Sequence, residues 1–441
     1  MTNKSLVEAV AAIEIARSGI ARGAAGTISN DPGAAIRSVK VLLGKTLPAA
    51  ANKSSRNGRT IVGDFPDLPL AYHALALGFF ARALVLLGRE APAAARALLG
   101  RAANASLAFA APDGDVSYIG RSQGQSWTLA LTAFAEETAR RLAPGGERSA
   151  ADYRALAERA IARLAQRYVI SDQGLLVTPA LGRNLDRGLR GLDEYVAAAS
   201  YNGLTMVGLD WALDAASDGQ IATGMLRADR PGSTVLGSGS ATFAAFRRGD
   251  AWFAVRQGPS AERGGDLRYD FGLVALKLRR SDGGWDDVVL ARPATTGRRD
   301  SAGPSLALAT PGGPGYPVGR SLRTSGAGAV TVPAVFRSER GRTLRSGVTF
   351  RFTPTACGVS IAFPDERADR FEYSTFFAAE GAPPTASPGR ILGDTEQVTY
   401  SGKGTVSFQG GYASGIEPRL VRARLNWAPP SRGGTITLCR R

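Results

Sequence analysis

The hydrophobic periodicity of the chain changes near residue 218, and this change limits the folds open to it. Up to that point apolar residues recur at spacings of three and four and Ala dominates, which is typical of amphipathic helices. Beyond it, short runs rich in β-branched and aromatic residues alternate with Gly-containing turns, which is typical of strands. The 441 residues suffice for two cores. We predict an all-α domain over 1–218 and an all-β domain over 219–441.

The first domain is predicted to consist of helices joined by short loops. Asp67 before Leu68 and Pro69 is a helix-start signal, and the run Pro144-Gly145-Gly146 is a stop signal. The predicted helices cover about 5–18, 33–43, 68–88, 92–109, 122–142, 150–168 and 192–216.

The second domain is predicted to be a large antiparallel β-sandwich. In one run Val348, Phe350 and Phe352 alternate with Thr349 and Arg351, as in a sheet with one buried and one solvated face. At least ten such runs follow residue 219, more than a small barrel needs. Residues 293–327, rich in Pro, Gly and Ser, are predicted to form a long irregular excursion.

The charge of the chain points to an anionic partner. The net charge is +16, of which +4 falls in residues 1–218 (24 basic, 20 acidic) and +12 in residues 219–441 (30 basic, 18 acidic). Only six of the 54 basic residues are Lys, and the planar Arg fork suits carboxylate and sulfate groups. A compositional bias towards Arg is the alternative. Nucleic acid is not expected, because the basic residues are scattered and no nucleic-acid motif accompanies them.

The two cysteines and the N-terminus bear on the cellular compartment of the protein. Cys357 and Cys439 form either a disulfide within the β domain or two buried thiols. The N-terminus lacks the basic and apolar pattern of a secretory signal, so the protein is either cytosolic or has lost its signal, and we expect a secreted or periplasmic protein. Without a long apolar run, no association with a membrane is expected. With a single His, metal binding by Cys and His is not expected. No other cofactor is predicted.

The first candidate segment of a functional site is Tyr72-His73, at the start of an apolar helix. His73 is the only imidazole of the chain, and its ordinary pKa near 6.5 makes it a natural proton acceptor at neutral pH. The alternative is a core histidine that is bonded to a backbone carbonyl.

The second candidate segment runs from Tyr118 to Trp127. It brings Arg121, Gln123, Gln125 and Trp127 into the first turns of a predicted helix. An aromatic ring beside amide and guanidinium donors suits a sugar that carries hydroxyl and carboxylate groups. Helix capping by Ser122, with surface polar residues around it, is the alternative.

The third candidate segment is Tyr201-Asn202, inside the last predicted helix. Asn is unfavourable in a helix interior. Either the helix begins after Asn202, with Ser200 or Asn202 as its cap, or these side chains are retained for a site.

Helices followed by a many-stranded β-sandwich resemble the polysaccharide lyases of the chondroitin, hyaluronate, alginate and heparinase type. The motifs that carry the resemblance are Tyr72-His73, the run 118–123 (Tyr-Ile-Gly-Arg-Ser-Gln) and Tyr201-Asn202. The resemblance implies an α+β multidomain chain, with an incomplete (α/α) toroid followed by an antiparallel sandwich. It also implies β-elimination on a uronic-acid-containing polysaccharide.

The resemblance assigns roles by residue type. Asn202, Gln123 or Arg121 would neutralise the uronate carboxylate, and His73 or Tyr201 would remove the C5 proton. Tyr118 or Tyr201 would protonate the leaving oxygen. Tyr72, Gln125 and Trp127 complete the expected substrate contacts.

Two other functions remain open on the sequence. A glycoside hydrolase would need a pair of carboxylates in the helical domain, drawn from Asp64, Asp67, Asp113, Asp115, Asp193 and Glu194. A non-catalytic protein would instead adsorb an anionic glycan on its Arg-rich β domain. Because a fold does not establish a chemistry, all three are kept.

Overall fold

The structure is a computed structural model in which most of the chain can be described. The described residues are 3–18, 32–52, 55–62, 69–120, 122–143, 150–170, 174–179, 198–216, 224–258, 271–288, 306–325, 328–363, 370–379, 381–413, 416–417, 419–430 and 433–441.

Helices occupy the described N-terminal half. A π-helical turn over Leu42–Thr46 joins the second and third helices. Two short hairpins, β1–β2 and β3–β4, lie between helices. The helices are α1 (Asn3–Ser18), α2 (Pro32–Val41), α3 (Leu47–Ala51), α4 (Leu70–Leu87), α5 (Ala93–Phe109), α6 (Ser126–Leu142), α7 (Ala150–Tyr168) and α8 (Ala198–Ala215), and the hairpin strands are β1 (Ser55–Arg56), β2 (Arg59–Thr60), β3 (Val169–Ile170) and β4 (Gly174–Leu175).

Two predictions about helix ends are corrected. α6 begins at Ser126 rather than at residue 122, because Gly120, Ser122 and Gly124 have positive φ angles (+84°, +61° and +66°) that an α-helix does not accept. α8 runs through Asn202 without a break, so of the two alternatives the one in which the helix begins after Asn202, with Ser200 or Asn202 as its cap, is wrong.

α4 forms the centre of the helical core. The segment Leu70–Glu90 is long and apolar enough to cross a membrane by length and composition, but 67% of it is buried inside the protein. Leu77, Phe80 and Leu84 are fully buried in a cluster with residues of the neighbouring helices. Such burial is typical of a core helix.

The described residues of the C-terminal half form three antiparallel sheets. Their orders are β5-β6-β7-β8-β9, β10-β16-β21-β20, and β11-β13-β14-β15-β22-β19-β18-β17 with β12 beside β13. The strands are β5 (Gly232–Leu236), β6 (Phe243–Arg248), β7 (Ala251–Arg256), β8 (Gly272–Arg279), β9 (Trp285–Val288), β10 (Leu306–Ala309), β11 (Tyr316–Gly319), β12 (Arg323–Thr324), β13 (Val330–Arg337), β14 (Thr343–Pro354), β15 (Gly358–Phe363), β16 (Arg370–Ala378), β17 (Thr385–Ser387), β18 (Arg390–Leu392), β19 (Glu396–Tyr400), β20 (Lys403–Tyr412), β21 (Leu420–Ala428) and β22 (Gly434–Arg440).

The predicted irregular excursion over 293–327 is wrong in its second part. β10, β11 and β12 all lie within it and pair with β16 and β13. Its Pro and Gly residues therefore mark short strands and the turns between them, which a composition rich in Pro and Gly does not reveal.

The five-stranded sheet β5–β9 is buried on both faces. Along β7, Trp252 and Ala254 belong to the helical core, whereas Phe253 and Val255 belong to the core shared by the other sheets. Successive side chains of a strand point to opposite faces, so this sheet is the layer that joins the two halves. The apolar core therefore continues across the predicted boundary at residue 218.

The nine-stranded sheet shows the predicted alternation. Val348, Phe350 and Phe352 of β14 are buried, while Thr349 and Thr353 are partly exposed and Arg351 is exposed. Cys357 and Cys439 form a disulfide that ties the last strand to the β14–β15 turn, with 4.8 Å between their Cα atoms. The sequence left this pairing open against two free thiols.

Candidate functional site

α4, α6 and α8 run in the same direction, so their N-termini lie at one end of the helical half. Gly78 of α4 packs on Leu131 of α6, and Gly208 of α8 packs on Ala130. Nearer the N-termini, the rings of Tyr72 and Trp127 lie 6.4 Å apart. α5 and α7 run the opposite way. We call the shared end the N-terminal rim and define it by Tyr72, residues 122–127 and Tyr201-Asn202.

The loop before α6 is built for close approach to α4. The Leu70 amide donates to the Ile119 carbonyl at 3.0 Å. Gly120 has φ +84°, and a Cβ there would lie 2.4 Å from Cβ of Pro69, so only Gly fits. Ser122 is buried at φ +61°, a conformation that costs a non-Gly residue free energy and that clusters at functional sites. The fold thus holds Gln123 on a constrained turn.

Aromatic side chains from all three helices meet at the rim. Trp127 is almost fully buried, and its Nε1 donates to Oε1 of Gln125, which is also buried. The Trp127 ring lies 6.4 Å from the Tyr72 ring, edge on, and 6.2 Å from the Tyr201 ring. Tyr72 and Tyr201 are half-buried. Trp127 and Gln125, predicted to contact substrate, therefore support the two tyrosines from behind.

Asn202 lies beside Tyr201 in the first turns of α8. Its Nδ2 donates to the Leu175 carbonyl of the β3–β4 hairpin at 2.8 Å. Its Oδ1 is buried and takes part in no hydrogen bond with the described residues. One turn later Thr205 Oγ1 lies 2.8 Å from Ser126 Oγ, which fixes α8 against the start of α6. The sequence placed Tyr201 and Asn202 together, and the structure adds Leu175 and Thr205 as their supports.

His73 does not suit the role of a general base. It is 1% exposed, and Nδ1 lies 3.0 Å from both the backbone nitrogen and the carbonyl oxygen of Val62. Nε2 lies 3.1 Å from Oγ of Ser106. Burial lowers the pKa of His73 to about 4, against partial compensation by backbone hydrogen bonds. The core alternative stated from the sequence is the one that this geometry favours, because both ring nitrogens are occupied inside the protein.

Tyr118 is equally enclosed. Its hydroxyl donates to the Phe109 carbonyl at 2.8 Å, and its ring packs 5.1 Å from Trp252 of β7. Burial, followed by the negative charge of Asp115, raises the pKa of Tyr118 well above 10. This burial disfavours the predicted role of Tyr118 as an acid for the leaving oxygen, and the ring lies at the contact between the helices and the first sheet.

The other two predicted substrate contacts are Gln123 and Arg121. Gln123 is half-buried on the constrained turn. Arg121 lies outside the described residues. Four of the six carboxylates considered for a hydrolase, namely Asp64, Asp67, Asp193 and Glu194, also lie outside them.

The remaining two hydrolase carboxylates, Asp113 and Asp115, belong to a buried charge cluster between the two halves. Lys277 Nζ of β8 lies 2.9 Å from Asp113, 3.2 Å from Asp115 and in direct contact with Asp287. Arg163 of α7 pairs with the same three carboxylates. Burial acts to raise the pKa of Asp115, but Lys277 and Arg163 outweigh it and hold that pKa below its ordinary value. Carboxylates neutralised in this way are poor acids and bases.

Sequence reasoning missed Glu136, a fully buried carboxyl in the middle of α6. Burial raises its pKa well above the ordinary range, with the Ser106 hydroxyl opposing and Glu137 adding to the shift. Ser106 also contacts His73, so one hydroxyl faces both groups. Glu136 and Glu137 are consecutive on an amphipathic helix, and nothing in the sequence indicates that the first of them points inwards.

No protein-family model matches the chain, and no curated protein matches it in sequence. Among solved structures, a heparinase III is similar over 100% of this chain and 60% of its own, with 10% identity and a TM-score of 0.49. The chondroitin AC lyase of Streptomyces coelicolor, solved with chondroitin sulphate, matches 92% of this chain and 64% of its own, with 12% identity and a TM-score of 0.35. The 4-alpha-glucanotransferase of Thermococcus litoralis matches 71% and 49%, with 8% identity and a TM-score of 0.34.

The chain thus spans about three fifths of the length of the lyases that it resembles. These values describe a resemblance at the level of the fold alone, and they assign no residue a role.

Proposed function

We propose that the N-terminal rim binds a uronic-acid-containing glycan and cleaves it by β-elimination. The observation that carries the proposal is the meeting of three polar and aromatic segments at the N-termini of parallel helices, shown by the Tyr72–Trp127 and Trp127–Tyr201 ring contacts at 6.4 and 6.2 Å. Helix N-termini present free N–H groups and a partial positive charge, which favour a carboxylate.

In the proposed reaction, neutralising the uronate carboxylate makes the C5 proton acidic. The starts of α6 and α8, with Gln123 and Asn202, lie at the rim for this task, and Arg121 belongs to the same loop in sequence. Donors that are fixed in advance stabilise charge as it develops, which is the largest contribution in many enzymes. The proposed reaction uses side chains and backbone dipoles of the chain itself, without a metal ion.

Tyr201 is proposed as both base and acid. Its phenolate removes the proton from C5, a C4–C5 double bond forms, and the C4–oxygen bond breaks. The phenol then gives the proton to the leaving oxygen, so the enzyme returns to its starting state. A single residue is proposed because His73 and Tyr118, the other candidates, are enclosed on all sides by the protein.

We also propose an incomplete (α/α) toroid followed by a β-sandwich, and a secreted or periplasmic location. Helices of alternating direction, α4 to α8, support an incomplete (α/α) toroid, and the shared core of the three sheets supports a β-sandwich. The Cys357–Cys439 disulfide supports a secreted or periplasmic protein, because such bonds persist in oxidising compartments.

The test is a screen of the purified protein on pectic, alginate, glycosaminoglycan and glucuronan polymers. We expect ultraviolet absorbance of an unsaturated uronide to grow on at least one of them, in step with new reducing ends. Reducing ends without absorbance would replace elimination by hydrolysis. No product on any of these uronate polymers would overturn the proposed activity.

A further inference from the structure

The outward face of the nine-stranded sheet carries a straight row of hydroxyl and guanidinium side chains. Residues that face each other on paired strands share one face of a sheet. Following the register from strand to strand, this rule places six residues side by side on β14, β15, β22, β19, β18 and β17: Thr353, Ser360, Thr437, Thr399, Arg390 and Ser387. We call this set the hydroxyl row.

A second, shorter row lies two residues further along the strands. It joins Arg323 of β12, Thr331 of β13 and Arg351 of β14. Arg323, Arg351 and Arg390 are exposed, and Thr353, Ser360 and Thr437 are partly exposed. The residues between them along the strands, such as Phe352, Ile361 and Leu438, are buried in the core. The rows are therefore the solvated side of a rigid support.

The charge of this face has one sign. The outward-facing described residues of β12–β15, β17–β19 and β22 include exposed Arg and no Asp or Glu. Arg390 donates to Oε1 of Gln397 on the next strand, which holds its guanidinium against the sheet. Thr437 Oγ1 lies 3.3 Å from Ser360 Oγ, so neighbouring hydroxyls of the row are in contact.

We propose that the hydroxyl row, with Arg351, is an adsorption site for an extended anionic polysaccharide, separate from the N-terminal rim. Neighbouring strands lie about 4.8 Å apart, close to the length of one sugar ring in an extended chain, so successive sugars meet successive strands. Hydroxyls donate to and accept from sugar hydroxyls, and the Arg forks pair with carboxylate or sulfate groups. The site shares its glycan class with the proposed function, but it does not depend on cleavage.

A glycan fits this face better than a nucleic acid does. Single-stranded nucleic acids are held by aromatic side chains on which bases stack, and none stands in the hydroxyl row. A row dominated by hydroxyls, with a few guanidinium groups, instead matches a polymer that has many hydroxyls and a regular, spaced negative charge.

The experiment measures adsorption of the full chain to chondroitin sulfate and to alginate by affinity electrophoresis, with double-stranded DNA as a second polyanion. The test variant is Arg351→Ala/Arg390→Ala. The matched control, Arg370→Ala/Lys403→Ala, removes the same charge from exposed positions that begin β16 and β20 of another sheet. We expect the test variant to bind at least one of the glycans about ten-fold more weakly, and the control to bind as the wild type does.

A second variant, Thr437→Glu, places a negative charge in the middle of the row and should weaken binding to a similar degree. Equal losses in the test and control variants would overturn the site, because net charge alone would then explain adsorption. The site would also be overturned if DNA bound as tightly as the glycans and lost affinity in the same variants. Elimination from a short uronide, which reaches the rim without the row, should stay unchanged in these variants, so failure of either proposal is visible separately.

Discussion

Lys277 is the residue on which the junction of the two halves most depends. It is 1% exposed on β8, and it faces carboxylates from the 110–117 loop and from β9. With Arg163 and the more distant Arg167, it balances three carboxylates with three cations. We predict that Lys277→Met, which keeps the length of the side chain and removes its charge, strongly destabilises the protein.

The magnitude follows from the distances. At an effective dielectric constant of about 20, unit charges about 3 Å apart interact by about 5–6 kcal/mol, and desolvation of the buried ions offsets much of this. Removing the ammonium leaves three buried carboxylates facing the guanidinium groups of Arg163 and Arg167, and an uncompensated buried charge costs about 3–5 kcal/mol. That is a large part of the free energy of unfolding of an ordinary domain.

The assay is urea unfolding at pH 7, with the exposed Lys403→Met as the control, whose expected change is below about 0.5 kcal/mol. The loss in free energy of unfolding caused by Lys277→Met should become smaller as the pH falls towards the ordinary pKa range of carboxyl groups. Protonation of one Asp then removes the excess negative charge. In the wild type the lowered pKa values of Asp115 and Asp287 keep their contribution intact until well below that range. A loss at pH 7 no larger than that of the control would refute the account of this cluster.

Three further predictions concern stability. Glu136→Gln should stabilise the protein at pH 7, measured as its free energy of unfolding, because the pKa of Glu136 is raised in the folded state. A carboxyl with a raised folded pKa gives stability that is lost as pH rises above its unfolded pKa, and Gln does not titrate. A variant with the same pH profile of stability as the wild type contradicts this. The folded pKa of His73 is lowered to about 4, so the stability of the wild type should fall as pH drops below about 6.5. In thermal melts between pH 4 and 7, His73→Gln should make this fall smaller. An unchanged dependence of Tm on pH would contradict a buried neutral ring. Cys439→Ser should lower the free energy of unfolding by up to about 4–5 kcal/mol, since the disulfide closes a loop with a sequence separation of 82. A reductant should lower the free energy of unfolding of the wild type but not that of the variant. If a reductant lowers it equally in both proteins, the disulfide is not the cause.

The helical and strand halves followed from periodicity because burial of one face imposes it directly. Val348, Phe350 and Phe352 turned inwards as their alternation required. The strands within 306–324 were not predicted because they are short and lie among Pro and Gly residues. They form by pairing with β13 and β16, which their own composition does not indicate.

The candidate site was foreseen as a set of segments but not as an arrangement. Tyr72, Trp127 and Tyr201 do meet, yet the sequence could not tell that Trp127 would be buried behind the two tyrosines. His73 was predicted as a base because its burial, which lowers its pKa to about 4, is not visible in the sequence. The groups that bond its ring nitrogens, Val62 and Ser106, lie 11 and 33 residues away. Long-range contacts of this kind leave no periodic trace.

The most direct test of the proposed function is the initial rate of unsaturated-uronide formation by Tyr201→Phe on the polymer that the wild type cleaves. The control is Tyr400→Phe, which removes a phenol hydroxyl in the β half. Loss of one general acid–base group costs about 10²–10⁴-fold, so we expect Tyr201→Phe to lose at least about 100-fold while the control keeps the wild-type rate. Full activity of a folded Tyr201→Phe variant would contradict elimination at the N-terminal rim.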